Sequence, residues 1–152
     1  MADQTTSFNK TRQARMGLLA KAPQHTLLQA WHDAELQPAF EWLRAPEIGA
    51  VMVRGRAGGT GAAFNLGEMS VTRCTLKLQG GEVGHGYVQG RSKAAAEVAA
   101  LVDALMQTHA ADHVQDKVIQ PLQIQLDATR ETRAAKAAAT KVEFFTVARG
   151  ED

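Results

Sequence analysis

Apolar positions along the chain change their spacing twice. From Ser7 to Ala22 helix formers dominate, Met16, Leu19 and Ala20 lie close to one stripe, and Pro23 stops the run, which predicts a short first helix. Leu27, Trp31 and Ala34 then fall at i, i+4 and i+7, one face of a second helix ending before Pro38. In the middle the period becomes two. Thr72, Cys74, Leu76 and Leu78 form a mostly apolar set against Val71, Arg73, Thr75 and Lys77, as in a half-buried strand. Phe40 to Arg44, Ile48 to Val53 and the glycine-rich Val83 to Val88 are three further strand candidates. The glycine-rich stretches Gly55 to Gly61 and Gly80-Gly81 supply connections. The expected sheet is an antiparallel meander of about four strands.

Helical spacing then returns. Ser92 is placed to cap a helix whose Val98, Leu101, Val102 and Leu105 form an apolar stripe and pack across the sheet. Asp112 and Gln115 are candidate caps for another, with Val114, Val118 and Leu122 inward and Pro121 ending or kinking it. The stretch Asp127 to Lys141 favours helix, yet its only apolar residues are six alanines. Such a helix buries little by itself, so it either lies closely against another backbone or projects from the domain. Val142 to Val147 is apolar where a tail is usually polar, which makes 127–152 a candidate docking segment with Phe144, Phe145 and Val147 as its contacts. The fold class is therefore α+β, one domain with N-terminal and C-terminal helices flanking an antiparallel sheet.

Composition narrows the function classes. A length of 152 residues with 45% hydrophobic and 22% charged positions suits one globular core. Seventeen basic against sixteen acidic residues leave +1, so no overall field recruits nucleic acid or an anionic membrane. Cys74 is the single cysteine and no Cys/His cluster has zinc spacing, so neither a disulfide nor a metal is expected. Met1 to Lys10 lacks the apolar core of a signal peptide, and no apolar run is long enough to span a membrane. The expected location is the cytoplasm.

Candidate chemistry is sparse. In Arg54 to Gly61 the backbone N–H groups around Gly58, Gly59, Thr60 and Gly61 can converge on an anion with Arg54 and Arg56 supplying charge. The same glycines also suit a plain hairpin connection, the preferred reading, and no Gly-Lys-Ser/Thr follows as in a Walker loop. Arg91 and Ser92 stand at the start of the strongest helix, where N–H groups favour an anion or simply a cap. His85 lacks a paired carboxylate, and a cap at Asp112 separates His109 from His113, which argues against a metal site. Cys74, on the apolar side of its strand, reads as a small buried hydrophobe. Glu41, Glu47, Glu68 and Glu82 form no recognisable acid–base pair, so catalytic residues stay unassigned.

Several ordered motifs carry a resemblance. Arg44-Ala45-Pro46-Glu47-Ile48-Gly49, Gly58-Gly59-Thr60-Gly61 with Phe64, Gly67-Glu68, Val71-Thr72-Arg73, Val88-Gln89-Gly90-Arg91, Val102 to Gln107 and Val142 to Gly150 together resemble the PhnG family of the bacterial carbon-phosphorus lyase core complex. The resemblance runs from about Arg44 to Gly150, with His85 where an aromatic residue is expected and Ala148 where a methionine is expected. It implies an accessory subunit of a multi-protein transferase, inactive alone, that works with PhnH, PhnI and PhnJ and makes its closest contact with PhnI. PhnL is needed functionally. The implied reaction displaces adenine from ATP by an alkylphosphonate, giving ribose 1-phosphonate 5-triphosphate. ATP is then a substrate of the assembled complex, and this chain binds no cofactor of its own. The resemblance supplies no list of catalytic residues. A second reading makes the chain a phosphate-binding or catalytic subunit in which the Gly58–Gly61 loop with Arg56, Arg73 or Arg91 touches triphosphate or phosphonate.

Overall fold

The structure is a computed structural model that describes residues 2–140. Two helices, α1 (Ala2–Lys21) and α2 (Gln24–Asp33), lead into three strands, β1 (Phe40–Arg56), β2 (Ala63–Leu78) and β3 (Val83–Gln89). After them come α3 (Lys93–Leu105), the short α4 (Ala111–Val114), a π-helical turn (Gln115–Ile119) and α5 (Gln120–Ala139). The architecture is α+β. Phe144, Phe145 and Val147, the expected docking contacts, lie outside the described residues.

The sheet is antiparallel, in the order β1-β2-β3, with three strands where about four were expected. The two candidate strands at Phe40 to Arg44 and Ile48 to Val53 are one continuous strand. Register shifts between Trp42 and Arg44 and between Arg44 and Glu47 absorb Ala45-Pro46 without ending the pairing with β2. Proline cannot donate to a ladder, but β1 is an edge strand, where that loss is tolerated. β2 is also longer than its alternation suggested, because every residue from Ala63 to Glu68 is exposed and no burial pattern marks that end.

Helix α3 lies at the centre. Ser92 caps it, its Oγ accepting from the Ala95 N–H at 3.1 Å, and ten of its thirteen residues are buried. The sheet covers one side through Thr72, Cys74, Leu76, Leu78 and Val88, while Leu27, Ala30, Val114, Val118 and Leu122 belong to the same core. Glycine makes this contact close. A Cβ built on Gly84 would overlap the Ala100 carbonyl oxygen, and one on Gly86 would overlap that of Ala96. The repeated glycines of β3 and the alanines of α3 thus let helix backbone rest directly on strand backbone.

Helix α1 closes the outer edge of β3. Arg12 donates to both carboxylate oxygens of buried Asp103, at 2.9 and 2.7 Å, and to the Val83 carbonyl at 3.3 Å. Asp103 also accepts the His85 backbone N–H at 3.0 Å, so the Val83 carbonyl and the His85 N–H at the edge of β3 are satisfied by side chains. Hydrogen bonding and the charge of Asp103 raise the pKa of the Arg12 guanidinium, against the opposing effect of its partial burial. At the C-terminal end, Ala110 takes the cap position and Asp112 falls inside the first turn without a side-chain cap bond. Pro121 neither ends nor replaces the helix: it stands in the first turn of α5, directly after the π turn.

Candidate interaction surface

β3 pairs with β2 only between Val71 and Lys77, and the Gly90 N–H reaches one residue further to the Ser70 carbonyl. Beyond that point β1 and β2 run on as a two-stranded ribbon, Val51–Arg56 against Ala63–Met69, reaching about 20 Å past the helix-backed sheet at the usual strand rise. None of its residues is buried. The pairs Val51↔Met69, Val53↔Gly67 and Gly55↔Phe64 fall on one face. A register shift at Val53/Arg54 leaves Leu66 as the extra residue of a bulge, and Phe64 and Leu66 both approach Gly55, their atoms 3.7 and 3.9 Å from its Cβ position. That face therefore carries Val51, Val53, Phe64, Leu66 and Met69. The opposite face holds Met52, Arg54, Arg56 and Glu68.

The tip is a tight turn. Gly58 and Gly59 have φ of 57° and 82°, left-handed conformations that side chains disfavour. A Cβ on Gly61 would stand 2.6 Å from the Ala57 carbonyl oxygen, whose acceptance of the Gly61 N–H at 2.8 Å closes the loop. Arg56 donates to the Gly61 carbonyl at 3.2 Å, across the base of the turn. These contacts belong to the hairpin itself.

The structure does not bring the sequence candidates together. Arg56, Gly58, Gly59, Thr60 and Gly61 are at the tip. Arg73 is in the three-stranded part of the sheet, between Glu47 and Tyr87, nine residues back along β1 from Arg56 and about 30 Å away. Its Nε donates to Glu47 at 2.6 Å, and Arg44 stands 3.6 Å from the same carboxylate oxygen. Arg91 is exposed in the turn between β3 and α3. His85 meets Thr75 at 3.2 Å and His113 meets the Ala34 carbonyl at 3.0 Å. Among the described residues no group of three or more His, Cys, Asp or Glu side chains is placed to hold a metal ion.

Cys74 is buried and donates to the Ala96 carbonyl at 3.1 Å, and burial pushes its thiol up to about 11. At neutral pH it is a protonated packing group. An alkylating reagent should leave Cys74 unmodified in the native chain and modify it on denaturation, as read by mass spectrometry; rapid native labelling would contradict this burial.

The sequence reading passed over Met52, Phe64 and Leu66 as surface residues, although they are 54%, 46% and 67% exposed. The available signal was apolar residues at alternate positions on both sides of a glycine turn, Val51 and Val53 before it and Phe64 and Leu66 after it. A second uncovered element is α5, of which every residue from Ala128 to Thr140 is exposed.

The small helix-backed sheet extends an uncovered ribbon and an uncovered helix, surfaces of the kind that another chain covers in a multi-subunit protein. The family model of the phosphonate metabolism protein PhnG matches residues 10–150, and the chain belongs to that family. A relative from Rhizobium meliloti (strain 1021), the alpha-D-ribose 1-methylphosphonate 5-triphosphate synthase subunit PhnG, is 45% identical over 141 residues, spanning 93% of this chain and 90% of the relative. No helix among the described residues is long and apolar enough to cross a membrane.

Proposed function

We propose that this chain is an accessory subunit of the synthase that displaces adenine from ATP with an alkylphosphonate, giving ribose 1-phosphonate 5-triphosphate. The observation that carries the reading is the 45% identity to a synthase subunit across nearly the whole of both chains. Its partners are PhnH and PhnI within the carbon-phosphorus lyase core complex, together with PhnJ, and PhnL acts with them; PhnI is its closest contact. The structure supports an accessory role over a catalytic one. Arg56 stands at the ribbon tip and Arg73 within the three-stranded part of the sheet, Arg73 shares a carboxylate with Arg44, and the tip glycines are required by the turn.

The reaction needs a site that positions a phosphonate oxygen against the ribose anomeric carbon and stabilises departing adenine. In the accessory reading another subunit supplies that site and this chain holds the assembly in its working form. The purified chain should release no adenine from ATP and methylphosphonate, while leaving it out of the reconstituted complex should abolish release. Turnover by the chain alone, or full turnover without it, would contradict the proposal.

A further inference from the structure

We propose that the outer ribbon of β1 and β2, residues 51–69, docks by its apolar face into an apolar groove with a carboxylate rim on a different subunit of the synthase. The inference rests on the reading of the chain as an accessory subunit, and adds which surface assembles and what chemistry receives it.

The face formed by Val51, Val53, Phe64, Leu66 and Met69 carries no charged side chain, and no other element of the described chain covers it. An isolated two-stranded ribbon is marginal in water, because each strand has one neighbour and neither face is packed. Edge strands that stay free in solution are usually blunted by charge, proline or bulges. The inner half of β1 has such features in Pro46 and its two register shifts, and the ribbon has a bulge at Leu66 with Arg54 and Arg56 beside it, yet the face of Val51, Val53, Phe64, Leu66 and Met69 stays wholly apolar. An apolar sheet face with open edges on both sides is a surface completed by another chain.

Charge selects the occupant. Arg54 and Arg56 stand at the projecting tip, and the one carboxylate of the ribbon, Glu68, lies further back on the same face opposite Met52, so the tip itself carries two cations and no anion. Two copies meeting tip to tip would bring like charges together. A groove deep enough to take the ribbon between two walls, one apolar against Val51, Val53, Phe64, Leu66 and Met69 and the other with carboxylates at its rim, would pair with both arginines on the opposite face while it covers the apolar one. Shape agrees, since the loop Ala57-Gly58-Gly59-Thr60-Gly61-Ala62 holds only small side chains and is closed tightly by the Gly61 to Ala57 hydrogen bond. The end of the ribbon is thus narrow enough to enter a groove.

The test is co-purification of tagged full-length chain with the remaining synthase subunits, comparing wild type, Phe64→Glu/Leu66→Glu and Arg54→Glu/Arg56→Glu. All four side chains are exposed, so circular dichroism and thermal midpoint should match wild type. The apolar-face variant should lose the other subunits, and charge reversal should weaken their binding tenfold or more, whereas raising salt should weaken wild-type binding. A folded Phe64→Glu/Leu66→Glu chain that co-purifies at wild-type yield overturns the ribbon as the docking element, and unchanged binding after charge reversal overturns the carboxylate rim. A wild-type chain that is a dimer by light scattering and becomes monomeric in the apolar-face variant overturns the hetero-subunit assignment. Each of these leaves the accessory reading standing, because that reading falls only if adenine release proceeds fully without the chain or from the chain alone. Should ribbon variation disturb folding, hydrogen exchange of wild type decides: residues 51–69 should gain protection in the complex, and unaltered exchange there overturns the proposal.

Discussion

Gly84→Val should leave the protein largely unable to hold its native packing, with a loss of about 3 kcal/mol or more, beyond the usual range for overpacked cores. The added atoms would meet the Ala100 carbonyl oxygen and the backbone nitrogen and side chain of Ala104, two of which are main chain and have no rotamer to change. Relief requires α3 to lift from β3, and α3 also shares its core with α2, α4 and the π turn through Leu27, Val114 and Val118. Against a typical total of about 5–15 kcal/mol the loss is severe, and at this size it corresponds to a fall in thermal midpoint of roughly 10 °C. Gly49→Val is the matching control. Its Cβ would meet nothing within 4 Å in an extended strand, so its midpoint should stay close to wild type. Equal midpoints for Gly84→Val and wild type in thermal unfolding by circular dichroism would show that α3 does not seat on β3 as described.

The second large effect is expected at Asp103. Its side chain is 2% exposed and anchors three donors, two from Arg12 and the backbone N–H of His85. Asp103→Ala removes both acceptor oxygens and with them all three hydrogen bonds, leaving Arg12 beside a strand edge without its counter-charge and the His85 N–H without its partner. Breaking a buried pair by removing one member costs about 3–5 kcal/mol, reduced here to roughly 2–4 because the Arg12 side chain keeps 25% of its exposure. A double-mutant cycle with Arg12→Ala, followed by urea unfolding, should give a coupling of about 1–3 kcal/mol. Additive losses would mean that α1 closes the β3 edge by packing alone. Because Arg12 and Asp103 are ninety-one positions apart, the cycle also tests whether α1 is fastened to the centre of the fold or merely lies beside it.

Much of the helical and sheet framework was legible because local spacing and burial agree. Thr72, Cys74, Leu76 and Leu78 alternate with Arg73, Thr75 and Lys77, and the first set is buried against α3. Ser92 was recognisable as a cap for the same reason: its hydroxyl bonds a backbone group only three residues away. The boundaries that were missed lie where one of these signals is absent. Phe40 to Arg44 and Ile48 to Val53 were separate strand candidates, but they form one edge strand that tolerates Pro46 by slipping register. Asp112 looked like a cap, but the helix begins after Ala110.

By itself, then, the sequence determined the order of helices and strands, the absence of a disulfide within the chain and, through its ordered motifs, the family. These are properties of short segments and of composition. Tertiary structure alone decided that β1 is one long strand, that Gly84 and Gly86 serve a backbone contact with α3, and that Arg12 finds Asp103. It also decided that the candidate arginines stand apart and that Val51, Val53, Phe64, Leu66 and Met69 share an uncovered face. Those outcomes depend on pairing register and on which surfaces the rest of the chain covers, and neither is a function of any short stretch of residues.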